Sequence, residues 1–182
     1  MATITAPRRK QPFIYVTWLR NYLIGDNLCR WSIWHRIYHQ YEAAKSDFDS
    51  VHYNMEHSTF RHETQQRYIK EGYEVIPEMP VTIYGDIAVM KGKIDLVAIR
   101  EGRNLIIEVK TGKPRAADKI QLMLYIWGLP KTYSRFRGVS FDGLLVYKVR
   151  WSSLNRYKTL SPPFVFTFQF HFKFQRTFVA QT

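Results

Sequence analysis

GKIDLVAIREGRNLIIEVKTGKPRAADKIQLMLY, residues 92–125, decides the fold. Its β-rich halves, Lys93–Arg100 and Asn104–Lys110, are separated only by Glu101-Gly102-Arg103, which predicts an antiparallel hairpin with a glycine-containing turn. Pro114 then opens a helix from about Arg115 to Trp127, closed by Gly128 and Pro130. Asp95 lies on one strand of the hairpin, and Glu108 and Lys110 lie two apart on the other. Side chains at i and i+2 share a face, so Glu108 and Lys110 point one way and Ile107 and Val109 the other. The hairpin brings Asp95 beside the acidic face. Two carboxylates and an ammonium among Val, Ile and Leu are costly to bury without a use. Two adjacent oxygen donors suit a hard cation such as Mg²⁺ or Mn²⁺, and a lysine beside it can act on a water or steady charge building on a phosphate. The plainer alternative is a salt bridge of Lys110 with Glu108 or Asp95. Gln121 and Tyr125, four apart on the following helix, share a face and can bond phosphate oxygens, stack on a base, or simply pack.

Outward from this segment, Tyr73–Ile76 and Val81–Tyr84 read as strand pieces around Pro77 and Pro80, and Gly143–Arg150 as a further strand. Upstream lie a basic arm, a short helix capped by Thr17, and a helix from about Leu28 to Ala44. Next come a loop over 45–54 and a helix from Glu56 to Glu71 ending at Gly72. The order is helices, hairpin-containing sheet, helix, strand: an α/β or α+β layered chain without βαβ repeats. From Phe164 to Phe174 every even residue is Phe, which predicts a strand with one all-Phe face that needs covering.

Composition narrows the class. With 182 residues, 46% hydrophobic, one domain with a real core is expected. Within it we distinguish a basic arm (1–13), a helical part (14–72), a sheet core with the Gln-Tyr helix (73–150) and an atypical tail (151–182). No uncharged apolar run reaches a membrane helix, and the basic start lacks the apolar core of a secretory signal. The single cysteine, Cys29, excludes an internal disulfide and suits a reducing, cytoplasmic setting. The net charge of +12 points to a phosphate polyanion as partner. Lys131, Arg135 and Arg137, just after the Gln-Tyr helix, are the expected DNA contacts, with Arg8, Arg9, Lys10, Arg30 and Arg36 as further candidates to track a phosphate backbone. Trp31, Trp34, Tyr38 and Tyr41 have helical spacing and read as core or a helix–helix contact. His35 and His39 are four apart but lack a third ligand, so zinc is not supported.

Asp95, then Glu108-Val109-Lys110, then Gln121-x-x-x-Tyr125, with an upstream histidine, resembles the RecB-like branch of the PD-(D/E)XK nucleases. The likeness is greatest to the CRISPR-adaptation exonucleases of that branch. EVKTGKP resembles the family's second metal strand, Asp118 and Gln121 its D-x-x-Q-x-x-x-Y helix, and VTWLRNYLIGDNLCRWSIW its opening. HETQQRYIKEGYEV resembles its histidine helix, which favours His62 over His57. The likeness spans roughly residues 14–149.

It implies a restriction-endonuclease-like core and a metal-dependent DNA nuclease, exonuclease-like on single strands or ends, working in CRISPR-adaptation or repair complexes. Asp95, Glu108, the Val109 carbonyl and His62 would hold Mg²⁺ or Mn²⁺. Lys110 would act on the attacking water, and Gln121 and Tyr125 would position substrate or the lysine. Water attacking phosphorus in line would leave a 5′-phosphate and a 3′-hydroxyl. Two departures stand out: Ile94 occupies a position often held by Pro, and the C-terminal cysteines of a four-cysteine iron–sulfur cluster are missing, so no such cluster is expected. The alternative is a non-catalytic basic nucleic-acid-binding module that keeps the fold.

Overall fold

The structure, a computed structural model, describes residues 6–26, 29–41 and 49–148 and the backbone of 165–170. The hairpin forms as the sequence predicts. Strands β3 (Val89–Arg100) and β4 (Arg103–Lys110) pair antiparallel from Leu96↔Ile107 to Arg100↔Arg103, turning through Glu101-Gly102 with Gly102 at φ 74°. Strand β2 (Glu74–Tyr84) runs antiparallel along nearly all of β3, so the two predicted strand pieces around Pro77 and Pro80 are one strand. β5 (Asp142–Lys148) adds parallel to β4, and the backbone of β6 (Val165–Phe170) pairs antiparallel with β5. The side chains of β6 and the rest of the Phe-alternating tail lie outside the described residues.

The expected N-terminal arm ends in a short strand, β1 (Phe13–Tyr15), parallel to β3 at Phe13↔Val89 to Tyr15↔Lys91. Because β2 pairs with β3 residues that also face β1 and β4, the latter two must share β3's other edge. Between them, residues 92–95 of β3 have no strand partner on that edge among the described residues.

Helices cover both faces of this mixed sheet, an α/β arrangement consistent with the restriction-endonuclease-like fold. α1 (Val16–Leu23) and α4 (Ala116–Thr132) lie on one face, where Val16, Leu122, Tyr125, Ile126 and Leu129 pack on Ile94, Val97, Ile106 and Leu145. α3 (Ser50–Lys70) lies on the other, burying Phe60 and Tyr68 on Leu96, Ala98, Ile107 and Val146. The alternation of the two cores breaks once. Ile94 and Val97, three apart on β3, both bury under α4, and on β2 Met79 is buried in the same cluster with Ile76 packed against it. Strict alternation would put each pair on opposite faces. The break falls at Asp95 and at Glu78, which the register places opposite it and whose φ of 52° is left-handed.

Several expectations are corrected. α1 starts at Val16, with Tyr15 rather than Thr17 at its cap position. α3 starts at Ser50, not Glu56, because Asp49 accepts a hydrogen bond from the His52 N–H at 2.9 Å and caps the helix. Val51, Tyr53 and Met55 in its first turns are exposed, so no apolar periodicity announced them. α2 (Arg30–Tyr38) ends before the predicted Ala44, and 42–48 lie outside the described residues. α2 buries no side chain: Trp31 is 68% exposed, and Trp34 and Tyr41 are exposed too, so this group is surface rather than core.

α4 passes through the predicted stop at Gly128 and Pro130. Gly128 there is a packing residue: a Cβ would lie 2.9 Å from Val81 Cγ1 and 3.0 Å from Ile83 Cδ1. Thr132 then ties the helix end to β2, accepting from the Thr82 N–H at 3.2 Å. Gly128→Val is expected to destabilise the fold by roughly 1–3 kcal/mol despite replacing a poor helix former. Urea denaturation checks this; a neutral or stabilising result contradicts the packing role.

Candidate active site

The unpartnered stretch of β3 opens into a cleft of about 410 Å³ lined by Asp95, Glu108, Lys110, Gln121 and Tyr125, all anticipated from sequence. Asp95 replaces the missing ladder. Its Oδ2 accepts the Val109 N–H at 2.9 Å, a donor that a continued β3–β4 register would have given to backbone. Glu108, on the α4 face of β4, is only 3% exposed and Asp95 7%. Gly92 makes the cleft wall possible: a Cβ there would lie 2.7 Å from Tyr125 Cε1 and 2.8 Å from Val16 Cγ2. The Tyr125 ring reaches β3's bare edge, where its hydroxyl accepts the Lys93 N–H at 3.4 Å.

Gln121 is the hub. Its Oε1 accepts from Lys110 Nζ at 3.1 Å and from Arg20, while its Nε2 donates to Glu108 Oε1 at 2.5 Å and to the Tyr125 hydroxyl at 3.3 Å. Cations on the oxygen and a carboxylate on the nitrogen fix the amide's orientation. Lys110 also donates to Glu108 Oε1 at 2.7 Å, so the salt bridge foreseen as the plainer reading exists. It sits inside the cleft instead of replacing it. Asp118 anchors the frame from behind: Oδ1 accepts from Arg20 at 3.2 Å, and Oδ2 from the Arg115 N–H at 3.1 Å and the Tyr147 hydroxyl at 3.0 Å.

Burial pushes the Glu108 carboxyl up to about 7, with the neighbouring Asp95 charge adding to it and Lys110 opposing. Burial also raises Asp95, against the pull of the Val109 N–H and Lys110. Tyr125 is raised by burial and by the Glu108 charge. These carboxylates are crowded and dry. Glu108 Oε2 is buried with no hydrogen-bond partner, although a buried acceptor left unmatched is costly.

That orphaned oxygen fits a hard divalent cation. The donors are Glu108, Asp95 and the Val109 carbonyl, all oxygen, which leaves several positions to water as Mg²⁺ prefers. Among the described residues no three His, Cys, Asp or Glu side chains group to hold an ion by themselves, so the carbonyl and water are needed.

The histidine at this site is His57, not His62. His57 Nε2 lies 3.2 Å from the Val109 carbonyl oxygen and 3.6 Å from Asp95 Oδ2, and burial lowers its pKa, favouring the neutral ring. His62 is exposed; five residues further along α3 it is turned roughly 140° around the helix. Lys131, Arg135 and Arg137 are exposed and do not line the cleft. α4 carries the chain away from Gln121 toward β2, and Lys131 and Arg135 rest on Trp127 and Phe136. The cations in the cleft wall are Arg20, Lys91, Lys93 and Lys110, of which only Lys110 was anticipated. Arg20 depends on a partner 98 residues away, Lys93 lies on the bare stretch of β3, and Lys91 lies beside it opposite Tyr15.

A carboxyl whose folded-state pKa exceeds its unfolded one stabilises the fold when protonated. For Glu108 that contribution is full below about 4.5 and fades as pH rises through about 7. Without divalent cations, Glu108→Gln is therefore expected to lose less stability than wild type between about pH 5 and about pH 8. Equal losses in urea denaturation contradict this.

A family model described as the PD-(D/E)XK nuclease superfamily matches residues 27–154, well over half of the chain and including both carboxylates. Among solved structures, one named "Crystal structure of SSO0001" is similar at 17% identity, covering 90% of this chain and 69% of that chain with a TM-score of 0.47. No curated protein matches.

Proposed function

The chain belongs to the PD-(D/E)XK nuclease superfamily, and on that premise we propose that it is a divalent-metal-dependent deoxyribonuclease of the RecB-like branch. It is exonuclease-like on single-stranded DNA or DNA ends and akin to the CRISPR-adaptation exonucleases. The observation that carries this reading is the convergence of Asp95, Glu108 and Lys110 in one cleft, with a buried, unmatched Glu108 oxygen. Among the described residues no helix is long and apolar enough to cross a membrane.

Asp95, Glu108 and the Val109 carbonyl would hold Mg²⁺ or Mn²⁺, with His57 in the place the sequence pattern gave to His62. Bound there, the ion supplies Lewis-acid activation and neutralises charge on the phosphate. Lys110, held by Glu108 and Gln121, offers its ammonium to the water that attacks phosphorus and to the phosphoryl oxygens as they gain charge. Gln121 keeps Lys110 and Glu108 at hydrogen-bond distance, and Tyr125 fixes Gln121 against β3. Lys91, in the cleft wall and without a carboxylate partner among the described residues, draws the phosphate backbone toward two acids that repel it until a cation is bound. The P–O3′ bond breaks, leaving a 5′-phosphate and a 3′-hydroxyl.

Purified protein with Mn²⁺ or Mg²⁺ is expected to cut labelled single-stranded DNA, and EDTA to abolish cutting. Lys110→Ala is expected to lower the rate by roughly 10²–10⁴ and Asp95→Ala to abolish it with the fold intact. His57→Ala is expected to cut activity sharply, whereas His62→Ala leaves it near wild type. Salt-sensitive binding without cleavage would instead favour the non-catalytic binding module.

A further inference from the structure

Beside the cleft, cations from the N-terminal arm, β3 and α2 are seated on aromatic rings of β1 and α1. The Arg9 guanidinium lies 4.5 Å and Lys91 Nζ 4.9 Å from the Phe13 ring centroid. Phe13 stacks on Trp18 at 6.0 Å with the rings 23° apart, and the Arg36 guanidinium lies 5.9 Å over Trp18. Tyr15, 42% exposed, meets Trp18 edge-on at 4.9 Å. Among the described residues none of these three cations is in ion-pair distance of a carboxylate. By contrast, Arg61 and Lys93 pair with Glu78, and Arg67 with Glu71. Lys91 and Tyr15 also line the cleft, so the row begins at the cleft wall and continues outward along β1 to α2.

We propose that this row is an exit track for a single-stranded polynucleotide, which holds the strand beyond the nucleotide in the cleft. This rests on the nuclease reading of the cleft and extends it from one scissile phosphate to a strand several nucleotides long. Three features select the occupant. The cations are un-neutralised, which complements phosphates. Guanidinium groups held over rings are pre-oriented and stack on bases, and an exposed tyrosine offers a further stacking surface. Only a single strand exposes base faces to such groups; a duplex offers phosphates alone.

The test is binding in EDTA, where no cleavage occurs, of labelled oligothymidylates of about 4 and about 16 nucleotides. Wild type is expected to bind the longer one more tightly. In Arg9→Ala/Arg36→Ala that gain is expected to fall about tenfold and the salt slope to flatten by about 1.4. Arg36→Glu, a single surface change, is expected to lower the gain further, and unchanged thermal melting of both variants confirms the fold. An undiminished length gain in both variants overturns the track. So does an equal loss on duplex DNA, which would mean phosphate contact alone, or the same variant sensitivity toward polyglutamate, which would mark an acidic protein segment as the occupant. Because the assay contains no metal, it decides the track even if the cleavage assay fails.

Discussion

The site depends on one interruption: β3 stops alternating at Asp95. Were the strand regular, residues three apart would fall on opposite faces, and Asp95 would be committed to one helix-covered face. Instead Ile94 and Val97 bury on the same side, and Asp95 is left at the strand edge where β1 has ended and β4 has not begun. The opposing Glu78 shares the interruption in its left-handed conformation, and its bonds to Lys93 and Arg61 tie it to β3 and α3. The bare edge exposes backbone, and Asp95 meets part of that need by accepting the Val109 N–H. The same geometry that repairs the sheet brings one carboxylate beside Glu108 on β4.

This geometry creates an electrostatic imbalance with a chemical use. Burial raises the pKa of both carboxylates, the Asp95 charge raises Glu108 further, and one lysine shared with Gln121 does not relieve them. Gln121 is suited to the centre because a neutral amide can take Lys110 and Arg20 on its oxygen while serving Glu108 and Tyr125 from its nitrogen. A charged residue there would repel one side or the other. The arrangement is therefore preorganised for a cation between the acids and for an anion against the cations.

The hairpin, the shared face of Glu108 and Lys110, and the Gln121–Tyr125 pair were legible because each is a short-range fact, set by strand period two or helix spacing four. Three kinds of feature were not. The early start of α3 was hidden because Val51, Tyr53 and Met55 in its first turns are exposed and leave no apolar periodicity, and a motif likeness pointed to His62 rather than His57. Gly128 and Pro130 read as a stop because glycine's role as a close-contact residue depends on Val81 and Ile83 across the sheet. Arg20 enters the cleft from α1, and Lys91 and Lys93 lie at or beside the gap between β1 and β4, which no local pattern announces. Lys131, Arg135 and Arg137 lie off the cleft for the converse reason: proximity in sequence to the Gln-Tyr helix is distance in space once that helix runs 17 residues.

The central claim is that Asp95 and Glu108 form one cation site. Thermal melting of wild type and Asp95→Asn with increasing Mn²⁺ tests it directly, since asparagine can still accept the Val109 N–H but cannot supply the charge. The account predicts a melting temperature that climbs with Mn²⁺ concentration in wild type, as binding to the folded state requires, and stays flat in Asp95→Asn. An equal rise in both proteins, or none in wild type, would contradict it.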